Sequence, residues 1–180
     1  LKHLNVLLIS FVFYLLSCTT DQPKQLKKER NIFYDKAYEA RERGALQNAF
    51  LYYNKAKEVF VEKNDSFGIA KCLVNMAIIS TDKGDYFGSY EFSLNAIPYL
   101  DKKNKDHQIY IISNLTNLGV TSSSLEKYSQ AISFYKQTLD FVKDTSSLIT
   151  VENNIAYAYS QQGDYRTAIA QYNGILSRGI

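Results

Sequence analysis

Ile155-Ala156-Tyr157-Ala158-Tyr159-Ser160-Gln161-Gln162-Gly163-Asp164-Tyr165-Arg166-Thr167-Ala168-Ile169-Ala170-Gln171-Tyr172 reads as two amphipathic helices with a tight turn between them. The small residues Ala156 and Ala168 stand twelve positions apart, and Gly163-Asp164 falls between them. Glycine supplies a left-handed backbone where the first helix must stop, and aspartate is a helix-starting residue. Two antiparallel helices can approach closely only where each offers a position without bulk, which is the physical use of the two alanines.

The same skeleton recurs upstream. Ala37, Ala77 and Gly119 are followed twelve positions later by Ala49, Ser89 and Ala131. Seven positions after the first small residue come Gly44, Gly84, Glu126 and Gly163, and four after the second come Tyr53, Ser93, Tyr135 and Tyr172. Between units the interval varies as 40, 42 and 37. A fixed interior with a variable exterior describes a rigid helical hairpin joined to its neighbours by elastic connectors, and polar stretches such as Lys63-Asn64-Asp65-Ser66 and Lys143-Asp144-Thr145-Ser146-Ser147 supply them. The spacing predicts helices at about 30–43, 46–62, 66–82, 86–101, 107–122, 128–142, 147–161 and 165–177.

Leu118-Gly119, Tyr128, Ala131 and Tyr135 in the third unit, and Ile155-Ala156, Tyr159, Gly163, Tyr165, Ala168 and Tyr172 in the fourth, resemble the tetratricopeptide repeat. Unit one departs from that pattern at Phe33 and Lys36, and unit two at Ser80, Ser89 and Ser93. The resemblance implies an all-α fold, a right-handed α-solenoid of about four antiparallel helix-turn-helix repeats, spanning about 30–62, 66–101, 107–142 and 147–177. The unit-to-unit spacing looks like that of the long-helix variety found in peptide-sensing bacterial regulators and cargo-binding light chains.

Ahead of the repeats lies a different kind of segment. Residues 1–18 have a basic start, an apolar run from Leu4 to Leu16, and Ser17 before Cys18. The run is shorter than the roughly 20 residues a membrane-spanning helix needs, and the layout is that of a secretory leader. Leu15-Leu16-Ser17-Cys18 resembles the bacterial lipobox, which implies a leader over 1–17, a lipidated Cys18 and a polar tether over 18–29. Localisation in a bacterial cell envelope follows as the expectation, on its periplasmic face or at the cell surface. Two or three acyl chains, each methylene contributing about 0.8 kcal/mol, anchor a protein durably.

Charge and composition narrow the function. The sequence is 46% apolar and 22% charged, enough to bury a core, and its net charge of +3 resides in residues 1–30. Residues 31–180 hold sixteen basic and sixteen acidic side chains. A neutral fold without a basic stripe argues against nucleic-acid binding. With His3 in the leader, His107 is the one histidine of the mature part, so a metal site or a serine-histidine triad has little to build on. No catalytic set, metal or cofactor is expected. Cys72, beside Leu73 on an apolar face, is expected to pack as a small hydrophobe.

A binding surface is expected on the first helix of each hairpin, because these helices line the inner side of a solenoid. Two positions before each first small residue stand Asp35, Asn75, Asn117 and Asn154. That offset rotates them about 200° from the packed face. An asparagine amide offers a donor and an acceptor to an extended peptide backbone, and equally to a neighbouring helix. In the resembled family an asparagine here commonly contacts a bound peptide. Next to the small residues come Tyr38, Ile78, Val120 and Tyr157, apolar or amphipathic groups suited to a partner's side chains or to packing between repeats. Lys71 lies one turn before Asn75. The leading expectation is a non-enzymatic module that holds a protein or peptide in its groove. The alternative is the sensory segment of a larger signalling protein, whose kinase or helix-turn-helix output lies beyond residue 180. Ile169, Ile175 and Leu176 of the last helix are left to find cover.

Overall fold

The structure is a computed structural model that describes residues 30–178. The leader over 1–17, Cys18 and the tether to residue 29 lie outside the described residues. The array from Asn31 onward forms one compact unit. It holds α1 (Ile32–Glu42), α2 (Leu46–Glu62), α3 (Ser66–Asp82), α4 (Tyr86–Ala96), α5 (Gln108–Ser124), α6 (Tyr128–Leu139), α7 (Thr145–Gln161) and α8 (Tyr165–Leu176), with no strand among the described residues. Consecutive helices pack against each other as four hairpins, and α3 also touches α5, so the first helices of the second and third hairpins are neighbours.

The recurring small residues act as predicted. Ala37, Ala49, Ala77, Ser89, Ala131 and Ala156 are fully buried, and Ala168 nearly so. Gly119 shows why bulk is excluded: a Cβ there would enter the ring of Tyr135, which lies against it from α6. The turn positions behave alike in all four units. Gly44, Gly84 and Gly163 have φ of 72°, 78° and 89°, and Glu126 adopts 59° at the corresponding place. Aspartates then start the helices: Asp65, Asp85, Asp144 and Asp164 accept backbone N–H bonds from Gly68, Gly88, Ser147 and Thr167. The bonds from Ser147 and Thr167 hold the Asp144 and Asp164 carboxyls below the usual carboxylate range.

Two boundaries differ from the sequence expectation. The fourth helix ends at Ala96 instead of continuing to 101, and a 3-10 turn over Ile97–Tyr99 follows. Pro98 is the reason, since proline lacks the N–H that α-helical bonding needs and restricts the residue before it. α6 likewise stops at Leu139, where Asp140 caps it, short of 142.

Among the described residues the interior contains two apolar clusters. The larger spans α1–α4 around Tyr53, Phe60, Met76 and Ile79. The smaller joins α6 to α7 through Ile132, Tyr135, Val151 and Ile155. Cys72 is fully buried in the first, and burial pushes its thiol up to about 12. Among the described residues no helix is long and apolar enough to cross a membrane.

Candidate functional site

The first helices of the four hairpins are α1, α3, α5 and α7. Between α3 and α5 lies a cleft of about 470 Å³ whose walls include Ile78, Thr81, Ile112, Thr116, Asn117 and Val120. Ile78 and Val120 occupy one repeat position, and the same position places Tyr38 on α1 and Tyr157 on α7. Both tyrosines are more than half exposed, at 56% and 52%. Ile78 and Val120 meet at the cleft, and Tyr38 and Tyr157 hold the corresponding place in the first and fourth repeats.

The asparagine series divides. Asn117 is 7% exposed and hydrogen-bonded on both ends of its amide. Its Nδ2 donates to Ser89 Oγ at 2.8 Å and to Ser93 Oγ at 2.9 Å, while its Oδ1 accepts from Thr81 Oγ1 at 2.8 Å. Thr81 and Ser89 hydroxyls are 2.6 Å apart. Because the Thr81 proton goes to Asn117, Ser89 donates to Thr81, and Asn117, Ser89 and Thr81 close a ring of hydrogen bonds across α3, α4 and α5. Each bond in such a ring polarises the next.

Asn75 is also 7% exposed. Its Nδ2 donates to the Lys71 carbonyl at 2.8 Å and its Oδ1 accepts from Arg41 Nη1 at 2.6 Å. These two amides therefore join helices, the second of the roles open to them from sequence. Asn154 is half-buried on α7 with no hydrogen bond to its side chain, and Asp35 is half-buried on α1.

Lys71 lies over aromatic rings, with Nζ 4.6 Å from the centroid of Tyr34 and 5.4 Å from that of Phe67. The Tyr34 hydroxyl is 3.2 Å from that of Tyr110, and burial, reinforced by that bond, pushes its pKa far up. Burial also raises Tyr53 to about 12, against the opposing pull of Arg41. These phenols stay neutral and structural at physiological pH. His107 stacks on Phe67 with ring centroids 3.9 Å apart, and its Nδ1 accepts the Asp101 N–H at 2.9 Å. Among the described residues no three His, Cys, Asp or Glu side chains gather as metal ligands.

Sequence reasoning missed Thr81 and Arg41 as partners of the asparagines. The signal was present for Thr81: two of the serines that break the repeat pattern in unit two, Ser89 and Ser93, face Asn117, and a hydroxyl one turn beyond Ala77 completes that set.

Residues 115–148 and 153–178 match models of the tetratricopeptide repeat. These are the third and fourth hairpins, the two that carry the motif in sequence. No curated protein matches the chain. Among solved structures, BtubC (BKLC) from P. vanneervenii superposes with a TM-score of 0.71 at 18% identity, covering 81% of this chain and 61% of that one. The apo form of RapI gives 0.69 at 19% identity, covering 79% and 52%. MamA gives 0.51 at 15% identity, covering 81% and 89%. At these identities the likeness is one of fold. The chain spans about three-fifths of the length of BtubC and about half that of RapI. The fold is thus an all-α array of TPR-like hairpins.

Proposed function

We propose that this chain is a non-enzymatic binding module that takes a peptide segment of a protein partner along its inner surface, and that Cys18 tethers it by lipid to a bacterial cell-envelope membrane. The observation that carries the reading is the cleft walled by Ile78 and Val120, with Tyr38 and Tyr157 exposed at the same repeat position on α1 and α7. Apolar pockets spaced along a groove hold alternate side chains of an extended segment, and the tyrosine hydroxyls add polar contacts at low entropic cost. Asn117 is part of the cleft wall and, like Asn75, fixes the helices that shape this surface; on this reading Asp35, Lys71 and Asn154 border it. The matched repeats and the fold support the protein-binding part, and the Leu15-Leu16-Ser17-Cys18 motif supports the tether.

Peptides selected from a random 15-residue display library against the intact chain test the groove. Binders should be lost from the Val120→Asp and Tyr157→Ala variants, both with unchanged helicity. Binders that ignore both substitutions would refute the groove. The tether is tested separately: a radioactive fatty acid should label the wild type and not Cys18→Ser, and labelling of both would remove Cys18 from the account.

A further inference from the structure

A pocket of about 70 Å³ lies between the second and third hairpins, where α4 gives way to the 3-10 turn over Ile97–Tyr99. Its apolar walls come from Leu100 after that turn, from Ile111 and Leu115 on α5, and from Phe134 on α6. None of its lining residues belongs to the cleft between α3 and α5. Three polar side chains also line it. Lys102 is exposed at the rim, Gln137 spends an N–H on the Ser133 carbonyl of its own helix, and Asn114 is buried.

Asn114 stands five positions before the small residue Gly119, a place that the other repeats fill with Ile32, Cys72 and Val151. An amide there breaks an apolar series, and it is only 1% exposed. Its Nδ2 donates to the Ser93 carbonyl at 3.0 Å, while its buried Oδ1 has no partner. The other three buried asparagines among the described residues, Asn31, Asn75 and Asn117, are bonded at both ends of the amide. A buried acceptor without a donor costs more than an ordinary hydrogen bond contributes. The Ser93 bond accounts for the nitrogen of Asn114, and the oxygen is the polar end left for the pocket.

We propose that this pocket binds a small neutral molecule with a compact apolar body and one N–H or O–H that donates to Asn114 Oδ1. The volume is about half the roughly 150 Å³ of an apolar cavity that takes benzene, so the buried part of the ligand is a five-membered ring or a short branched chain. Lys102 at the rim opposes an ammonium, which leaves a neutral donor. Water is the poorer occupant, because it needs about two to four polar partners and the inner walls offer Asn114 among apolar side chains.

Pyrrole and furan test this as a matched pair. They are rings of nearly one shape, but pyrrole has an N–H donor and furan has none. Furan is the more apolar, so burial alone favours it. Each is titrated into the intact 15N-labelled protein, with its aqueous concentration read from its own proton signals. Pyrrole should give saturable shifts centred on residues 97–100, 111–115 and 134, and should bind about tenfold more tightly than furan, as for one hydrogen bond to a buried acceptor. Asn114→Val, which installs the residue that Val151 supplies at the same repeat position, should erase that preference. Should that variant fail to fold, the comparison on the wild type decides alone. No saturable shifts from pyrrole, the result if water alone fills the site, would overturn the proposal, as would furan binding equally or better, or a preference that survives Asn114→Val. Val120→Asp should leave this binding untouched, so failure here and failure of the groove are distinct results.

Discussion

Glu126→Gly should stabilise the protein. Glu126 holds φ at 59° in the turn between α5 and α6, the place where the other repeats carry Gly44, Gly84 and Gly163 with φ between 72° and 89°. An L-residue in the left-handed region costs about 1–2 kcal/mol because its Cβ crowds the neighbouring carbonyl. Glycine removes that cost but returns roughly 0.5–1 kcal/mol through the greater freedom of its unfolded chain. The Glu126 side chain is exposed and makes no described hydrogen bond, so nothing else is lost. The net gain is about 0.5–1 kcal/mol, which at this chain length moves a thermal midpoint up by about 2–4 °C per kcal/mol. The reverse change checks the same reasoning: a Cβ at Gly163 meets nothing within 4 Å, so Gly163→Ala isolates the backbone penalty and should destabilise by about 1 kcal/mol or more. Paired urea and thermal unfolding of the three proteins decides the matter. A Glu126→Gly midpoint at or below that of the wild type would refute the strain argument.

Other perturbations test other parts of the packing. Gly119→Ala drives a methyl into the Tyr135 ring and should destabilise by about 1–3 kcal/mol, measured by urea unfolding, with a second change of Tyr135→Leu recovering part of the loss. Asn117→Ala leaves the hydroxyls of Ser89 and Ser93 buried without their donor, and should lower stability by about 1–3 kcal/mol, with faster amide exchange in α3 to α5 as the readout. Cys72, buried and with its thiol pushed up, should resist thiol reagents at pH 8 in the folded protein and react at once in denaturant. The Asp144 and Asp164 carboxyls are held low by their cap bonds, so their stabilisation is present above the ordinary carboxylate pKa near about 4 and is lost as pH falls through and below it. Unfolding midpoints at pH 5 and pH 3 should converge between wild type and an Asp144→Ala, Asp164→Ala variant as acid is added.

The hairpin plan was legible because it rests on local steric rules: small residues where helices meet and left-handed turn positions where they end. Those rules hold at Glu126 as well as at glycine, so the period survives a break in composition. The ends of α4 and α6 were harder, since apolar periodicity continues through Tyr99 and Phe141 although α4 stops ahead of Pro98 and α6 stops at Leu139. The candidate site was half legible. Tyr38 and Tyr157 are exposed where periodicity places them, but Asn75 and Asn117 turn inward because α1 and α4 supply Arg41, Ser89 and Ser93 as partners. Side-chain pairing between repeats follows no fixed interval, so no single-helix pattern carries it. For that reason Asn117→Ala is a perturbation of the framework before it is a perturbation of binding.

The ring of Asn117, Ser89 and Thr81 has a mechanical consequence. Apolar contact is nondirectional, so shape alone sets the offset of two packed helices where no polar group does. One amide and its hydroxyl partners fit in a single offset, and burial away from water makes any other offset expensive. The joint between the second and third hairpins is therefore keyed from within, whereas α6 and α7 meet through apolar side chains inside and through exposed bonds at the rim, from Lys136 to the Tyr159 hydroxyl and from Gln162 to Ser129. Water competes for the rim bonds, so a pull along the array should open the joint between the third and fourth hairpins before the keyed one parts.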